Sequence, residues 1–304
     1  MKKIDVCLNV LGKPYQTIVT LKSLLKYSGQ HIDKIYLIEE IKQTNDYDFD
    51  LIKKELNYEG LKRFKPKHHL WINFTNLDLV HSDEDYRLSL RYQYGLEKTD
   101  KSHMLLIHND VLFHSDIVGE FLNEDENLFG IGSVGQCWNC PLFLESICNG
   151  DKLEKNIENL NYDDVIVFVD KRKETRTYYQ VRNKINKQKP LPMPECRINE
   201  WCMLINVDLY KKEVLEKKEV VPFGGYFQMD IGDLWFRQMI DKGYRFKNSD
   251  INKNLTHAYF STGSDGHSSL FNKDKYNESE NSAKKYLTEN FKQNDNNNLL
   301  NTQG

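Results

Sequence analysis

The sequence predicts an α/β fold built on a mixed, mostly parallel sheet flanked by helices. Two observations carry this. The chain opens strand, helix, strand: Ile4–Leu11 is apolar and β-branched, Thr17–Tyr27 repeats apolar residues at helical spacing, and Ile35–Ile38 is apolar again. That order implies a parallel βαβ unit. Further on, Met104–Ile107 is wholly apolar, as a strand covered on both faces must be.

The elements follow in order. Gly12-Lys13-Pro14 turns the chain out of the first strand. The first helix carries Ile18, Leu21, Leu24 and Leu25 and meets Gly29 as a stop. The second strand ends in Glu39-Glu40. Leu51–Leu61 reads as a second helix, Leu70–Phe74 as a third strand, and Tyr86–Leu96 as a helix bearing Arg87 and Arg91. Residues 130–194 are less regular and hold most of the cysteines. Asn199–Val207 resumes strand character, Pro222–Tyr226 is a glycine-rich loop, and Asp233–Ile240 is a helix ended by Lys242-Gly243. From Asn277 the chain turns polar, and 291–304 reads as a disordered tail.

Composition narrows the function classes. The chain has 304 residues, enough for a sizeable core, with 39% hydrophobic and 29% charged residues. A net charge of −3 argues against a nucleic-acid partner. No apolar run reaches the roughly 18 residues of a membrane span. Asp5 interrupts the place of a signal peptide's apolar stretch. The expected location is the cytoplasm, with contact at the inner face of the membrane as an extension.

His108-Asn109-Asp110 follows the buried strand Met104–Ile107 directly. Ligands of open α/β sheets bind at the carboxyl ends of strands. Asp110 there, with His108 two residues before it, can hold a divalent cation against a diphosphate. On local sequence alone, a strand-terminal turn explains the triplet equally well. His257, on a late apolar segment, is a candidate to complete the metal shell; a lone histidine is more often structural.

The order of these motifs resembles the GT-A glycosyltransferases, especially those that build bacterial cell-surface polysaccharides. The resemblance covers roughly residues 4–260. The family ends a strand in Asp-x-Asp, which holds manganese or magnesium; here His108 replaces the first acid and Asp110 keeps the last. The family's first strand and loop match Asn9–Pro14, and its acids after the second strand match Glu39 and Glu40. Arg91 with Gly95 is similar to the element before the metal motif. The resemblance therefore implies a Rossmann-like GT-A domain over 1–290, with a donor half about 1–115, an acceptor half about 116–290, and an irregular acceptor-side insertion. It implies a nucleotide-sugar donor contacted by Asn9, Glu39, Glu40, Arg91 and Asn109, and a glycan or lipid-linked acceptor. It implies inversion, with Asp233 or Asp230 as the base that deprotonates the acceptor hydroxyl. Arg237 and Gly243-Tyr244 fit the pattern after that acidic motif. The plainer reading makes Asp233 a helix cap and Asp230 a turn residue.

Cys137, Cys140, Cys196 and Cys202 are a candidate structural zinc set; the preferred reading is core cysteine. The basic run Lys171–Lys189 suits an anionic acceptor, or is a solvated loop. Two rivals stand beside the transferase: a sugar-phosphate nucleotidyltransferase, which would carry a basic glycine-rich loop where this chain has Gly12-Lys13-Pro14, and a non-catalytic glycan-binding protein.

Overall fold

The computed structural model describes residues 2–70, 75–135, 140–155, 160–175, 182–227, 229–260 and 272–292. Its strands are β1 (Ile4–Val10), β2 (Ile32–Glu39), β3 (Leu61–Phe64), β4 (His103–Ile107), β5 (Val111–Phe113), β6 (Gly130–Gly135), β7 (Arg197–Asn206), β8 (Phe246–Asn248) and β9 (Leu255–His257). The chain forms two compact units. One takes Met1–Lys65, Ile107–Asn123 and Asn252–Gly304; the other takes Pro66–Leu106 and Glu124–Ile251.

In the first unit β1 pairs with β2, and β2 with β3, all parallel, as the opening βαβ pattern predicts. Every residue of β1 except Asn9 is buried. The connecting helix α1 (Pro14–Ser28) has proline in its first turn, where the missing N–H costs nothing. It buries Ile18, Val19, Leu21 and Leu24. The next helix, Phe49–Leu56, is capped by the Asp48 carboxylate on Leu51 N–H.

The expected helix Leu51–Leu61 ends earlier than its apolar spacing suggests. Asn57 takes the left-handed conformation, φ 45°, and closes the helix. At Gly60 a Cβ would stand 2.3 Å from the Asp33 carbonyl, so the chain can pass only as glycine. Leu61 then begins β3. Most of the expected strand Leu70–Phe74 lies outside the described residues. The polar stretch after Asn277 also departs from expectation: Lys273–Leu287 is a helix. Its buried stripe, Tyr276, Ser279, Glu280, Ala283 and Leu287, is largely polar and packs on α1.

The second unit holds β4, β7, β6 and β8 in that order, with β6 antiparallel to β7 and parallel to β8. Its core is aromatic: Trp235 meets Phe129 and Phe223 edge-on at 5.3 and 5.2 Å. The expected helix Tyr86–Leu96 is two helices, Glu84–Leu88 and Gln93–Lys98, broken where Tyr92 adopts φ 64°. Asp233–Asp241 is helical and starts after Gly232 at φ 83°.

Candidate metal centre

Ile107 ends β4, and the chain turns through His108-Asn109-Asp110 into β5. β9 runs antiparallel to β5 with His257 opposite Val111, which brings a late histidine to this turn. His108, Asp110 and His257 each offer a ligand atom within 4.8 Å of the others. Asp110 Oδ1 lies 3.5 Å from His257 Nε2 and 4.0 Å from His108 Nδ1. The two imidazoles stand edge to face, 5.3 Å between centroids.

Hydroxyls on α1 hold the turn in place. Asn109 Nδ2 donates to Thr17 Oγ1 at 3.1 Å, Val111 N–H to Thr20 Oγ1 at 3.1 Å, and Phe113 N–H to Ser23 Oγ at 3.2 Å. Thr17, Thr20 and Ser23 are three residues apart, so they share one helix face. All three are buried. A sequence reading of α1 that follows only its apolar residues misses them. The signal was there: polar residues recurring every third position inside an apolar helix.

Asp110 is 9% exposed, and its Oδ1 has no hydrogen-bond partner among the described residues. Burial pushes its pKa up. The imidazole of His257, then His108 and Lys13, outweigh burial and hold the carboxyl well below the usual range. A buried carboxylate oxygen whose nearest donor, His257 Nε2, stands 3.5 Å away is poorly satisfied, and a cation held between it and the imidazoles would satisfy it. Donors bound at about 2.1 Å to one ion stand about 3.0–3.5 Å apart. The His257 separation fits that range, and the His108 separation lies just outside it. The residues therefore fit a divalent ion. Two imidazoles with one carboxylate disfavour magnesium, which prefers oxygen ligands and water.

The β1–α1 turn borders this group. Gly12 and Lys13 are both left-handed, φ 61° and 52°. Gly12 N–H donates to Gln43 Oε1 and Lys13 N–H to the Tyr276 hydroxyl, each at 2.8 Å. The Glu280 carboxylate accepts Tyr15 N–H at 2.9 Å and Gln16 N–H at 3.1 Å, capping α1 from another helix. Burial pushes Glu280 up to about 7.

The other sequence-predicted contacts are distributed as follows. Asn9 lies near the end of β1, paired with Ile38. Glu39 is 1% exposed and committed to Arg63, whose Nε is 2.5 Å away, and to the Tyr47 hydroxyl at 2.8 Å. Glu40 N–H donates to the Val10 carbonyl. Arg91 is half-buried in the second unit.

The second unit gathers the two candidate bases around one buried cation. Arg197 is 2% exposed and bonds Glu200 at 2.7 Å and Asp233 at 3.2 Å, with Asp230 at 3.5 Å. Asp233 Oδ2 also accepts Asp230 N–H at 2.8 Å. Burial drives Asp233 well above the usual carboxylate range; Arg197 opposes this, and Asp230 and Glu195 add to it. The cap of the following helix is Gly232, so Asp233 is its first residue and not its cap. Asp233 is fully buried, whereas the Asp230 side chain is 19% exposed. Of the two, Asp230 is the acid that solvent reaches.

The cysteines do not form a metal set among the described residues. Cys202 is 0% exposed within β7, and burial raises its thiol pKa. Cys140, Cys148 and Cys196 pack against Leu142, Val165, Val169, Ile185 and Met193. Cys137 lies outside the described residues. Apolar packing is the role the described thiols have, and structural zinc is not supported. Among the described residues, three cations of the basic run are paired within the chain. Arg172 Nε is 2.6 Å from Glu145, Arg182 grips Asp170 through two nitrogens at 2.7 and 2.8 Å, and Lys189 meets Asp241 at 2.7 Å.

No protein-family model matches the chain, and no curated protein matches it in sequence. Solved structures similar to it include a mannosyltransferase from Pyrobaculum calidifontis in complex with GDP-Man and Mn2+. It is 9% identical, with a TM-score of 0.41, over 81% of this chain and 54% of that one. A galactosyltransferase in complex with donor and acceptor sugar analogues is 10% identical, TM-score 0.38, over 82% and 74%. Mouse xyloside xylosyltransferase 1, in its apo form, is 11% identical, TM-score 0.43, over 83% and 86%. The chain thus spans about half the length of the mannosyltransferase.

Proposed function

We propose that this protein is a metal-dependent glycosyltransferase that moves a sugar from a nucleotide-diphosphate donor to a glycan acceptor. The observation that carries the reading is the ionised, buried Asp110 between two imidazoles, at the end of a buried strand in an α/β fold. The sequence resemblance to the GT-A glycosyltransferases names the chemistry such a site would serve.

In this reading the first unit binds the donor. His108, Asp110 and His257 hold manganese in preference to magnesium. A bound cation would neutralise the charge that develops on the departing diphosphate. Asn9, Glu40 and Asn109 border the nucleotide, and Glu39 acts through Arg63 and Tyr47. Arg91 is a further donor contact, and residues of about 116–290 supply the acceptor side. Asp230 takes the proton of the acceptor hydroxyl as its oxygen bonds the sugar's anomeric carbon. The bond from that carbon to the diphosphate oxygen breaks, and the configuration inverts. Asp230 is preferred to Asp233 because solvent reaches it.

A role in bacterial surface polysaccharide synthesis belongs to the same proposal. A lipid-linked acceptor and a contact with the membrane face rest on the basic run, whose cations Arg172, Arg182 and Lys189 have partners within the chain. Among the described residues no helix is long and apolar enough to cross a membrane.

The test is release of nucleoside diphosphate from a panel of nucleotide sugars, with and without Mn2+. Manganese-dependent release from at least one donor is expected, first to water and faster with a glycan acceptor. Release from none across the panel, by folded protein, rejects the reading.

A further inference from the structure

A groove of about 680 Å³ opens in the second unit and plays no part in the chemistry proposed above. It lies where β6 and β8 begin: Glu124, Asp125 and Leu128 lead into β6, and Tyr244 and Arg245 lead into β8. Asp230 belongs to the other end of β6. Arg197, which it meets at 3.5 Å, pairs with Gly135, the last residue of that strand. At about 3.3 Å per residue, Gly130 to Gly135 covers roughly 17 Å. The groove is therefore not the place where the acceptor hydroxyl would lose its proton.

The lining carries three acids, Glu124, Asp125 and Glu154, and three bases, Lys189, Arg245 and Lys247. Arg245 pairs with Asp125, Lys247 with Glu154 at 3.2 Å, and Lys189 with Asp241 at 2.7 Å. The lining is neutral in sum, so a phosphate, a nucleotide or an anionic lipid gains little from its field. Its charged groups still keep hydrogen-bonding capacity, because a guanidinium has five N–H donors and a carboxylate about four acceptor sites. Between them lie Leu128, Leu153, Leu191, Ile240 and Phe246. Tyr244 adds its ring, since its hydroxyl is spent on the Glu213 carboxylate at 2.7 Å. One wall is preformed: Arg237 donates to the Lys189 carbonyl at 3.1 Å, and Asn186 Oδ1 accepts the Gln188 and Lys189 N–H groups at 2.8 and 3.1 Å. β8 is the last strand of the sheet, but the Glu154 carboxylate takes the Asn248 N–H at 2.7 Å, which disfavours an extended peptide added at that edge. An apolar floor, a rim that both donates and accepts, and no net charge match a pyranose, which has apolar C–H faces and hydroxyls at its edge. We propose that this groove is a second glycan-binding site, which holds an uncharged stretch of the acceptor away from the end that receives the sugar. The inference rests on the reading of the acceptor as a glycan and deepens it.

The test is binding without nucleotide sugar or Mn2+, so that it does not depend on transfer. Isothermal titration of the full chain uses maltohexaose, cellopentaose, mannohexaose and N-acetylchitohexaose as uncharged probes, and a dodecapeptide of no net charge beside them. The wild type should bind at least one of the sugars, at one site per chain. The double variant Arg245→Ala/Lys247→Ala should weaken that binding roughly 10- to 100-fold, as loss of two charge-assisted hydrogen bonds predicts. Both side chains are exposed, Arg245 by 68% and Lys247 by 38%, so the fold should survive. If it does not, Arg245→Ala alone carries the test, with a loss of roughly tenfold. Undiminished sugar affinity in the folded variants overturns the assignment. So does binding of the peptide in place of the sugars, or binding of no probe by the wild type. A chain that binds oligosaccharide through this groove but releases no nucleoside diphosphate rejects the transferase reading and upholds the groove.

Discussion

His257 Nε2 lies 3.5 Å from Asp110 Oδ1, although the two residues come from distant parts of the chain. The pairing of β5 with β9 closes that distance: Val111 faces His257 across the ladder, and Asp110 precedes Val111. His108 arrives with Asp110 on the same turn. A metal site assembled this way depends on the position of β5, and β5 depends on α1.

Thr20→Val should show that dependence. The substitution keeps the shape but leaves the buried Val111 N–H without its acceptor. Stability should fall by about 1–3 kcal/mol, read by urea denaturation. Affinity for Mn2+ should fall by about tenfold, as for other residues that orient metal ligands. Unaltered metal binding would show that α1 does not position the site.

Asp230 and Asp233 should fail in different ways. Asp230→Asn should lower kcat by about 10²-fold or more with donor affinity kept, as loss of a general base predicts. Asp233→Ala removes one hydrogen-bonded partner of buried Arg197, which keeps Glu200, and should cost about 1–3 kcal/mol of stability. Steady-state kinetics and thermal denaturation separate the two. Equal, small kinetic losses in both would point away from a base at this motif and towards retention.

Glu280 should make stability depend on pH. Its folded-state pKa is about 7, above the ordinary 4.5. The folded chain therefore holds this proton more tightly than the unfolded chain does. The associated stability is fully present below pH 4.5, and it is lost progressively as pH rises to about 7. Glu280→Gln removes the effect. Relative to wild type, the variant should gain stability across that window, by up to about 3 kcal/mol. A stability difference that does not change with pH would place Glu280's pKa near its ordinary value.

Arg172 of the basic run should behave as one half of an internal ion pair. Arg172 is 36% exposed on its side chain and sits against Glu145. Arg172→Ala should cost about 0.2–1 kcal/mol of stability, with no salt-dependent change in acceptor KM. A KM that rises at low salt and recovers at high salt would restore an anionic acceptor.

The opening βαβ unit and β4 were legible in the sequence because their apolar runs are long or uninterrupted. Asp110 and His108 were legible because a polar triplet at the end of such a strand is exposed to reading by position alone. His257 was visible only as a candidate, since strand pairing across the fold cannot be read from local pattern. The helix Lys273–Leu287 was missed because Ser279 and Glu280 in its buried stripe read as solvent-facing. The break at Tyr92 and the stop at Asn57 were missed because both are left-handed backbone at residues other than glycine. Asp233 was named a candidate base from its place in the motif, and a sequence does not show that buried Arg197 pairs with it.

The central claim is that His108, Asp110 and His257 hold a divalent cation. Direct Mn2+ titration by calorimetry, comparing the wild type with Asp110→Ala and His257→Ala, tests it most closely. The wild type should bind one Mn2+ per chain at this site and prefer it to Mg2+. Asp110→Ala should abolish that binding, and His257→Ala should weaken it by more than about tenfold, with both variants folded as judged by circular dichroism. Stoichiometric Mn2+ binding that survives Asp110→Ala would contradict the account.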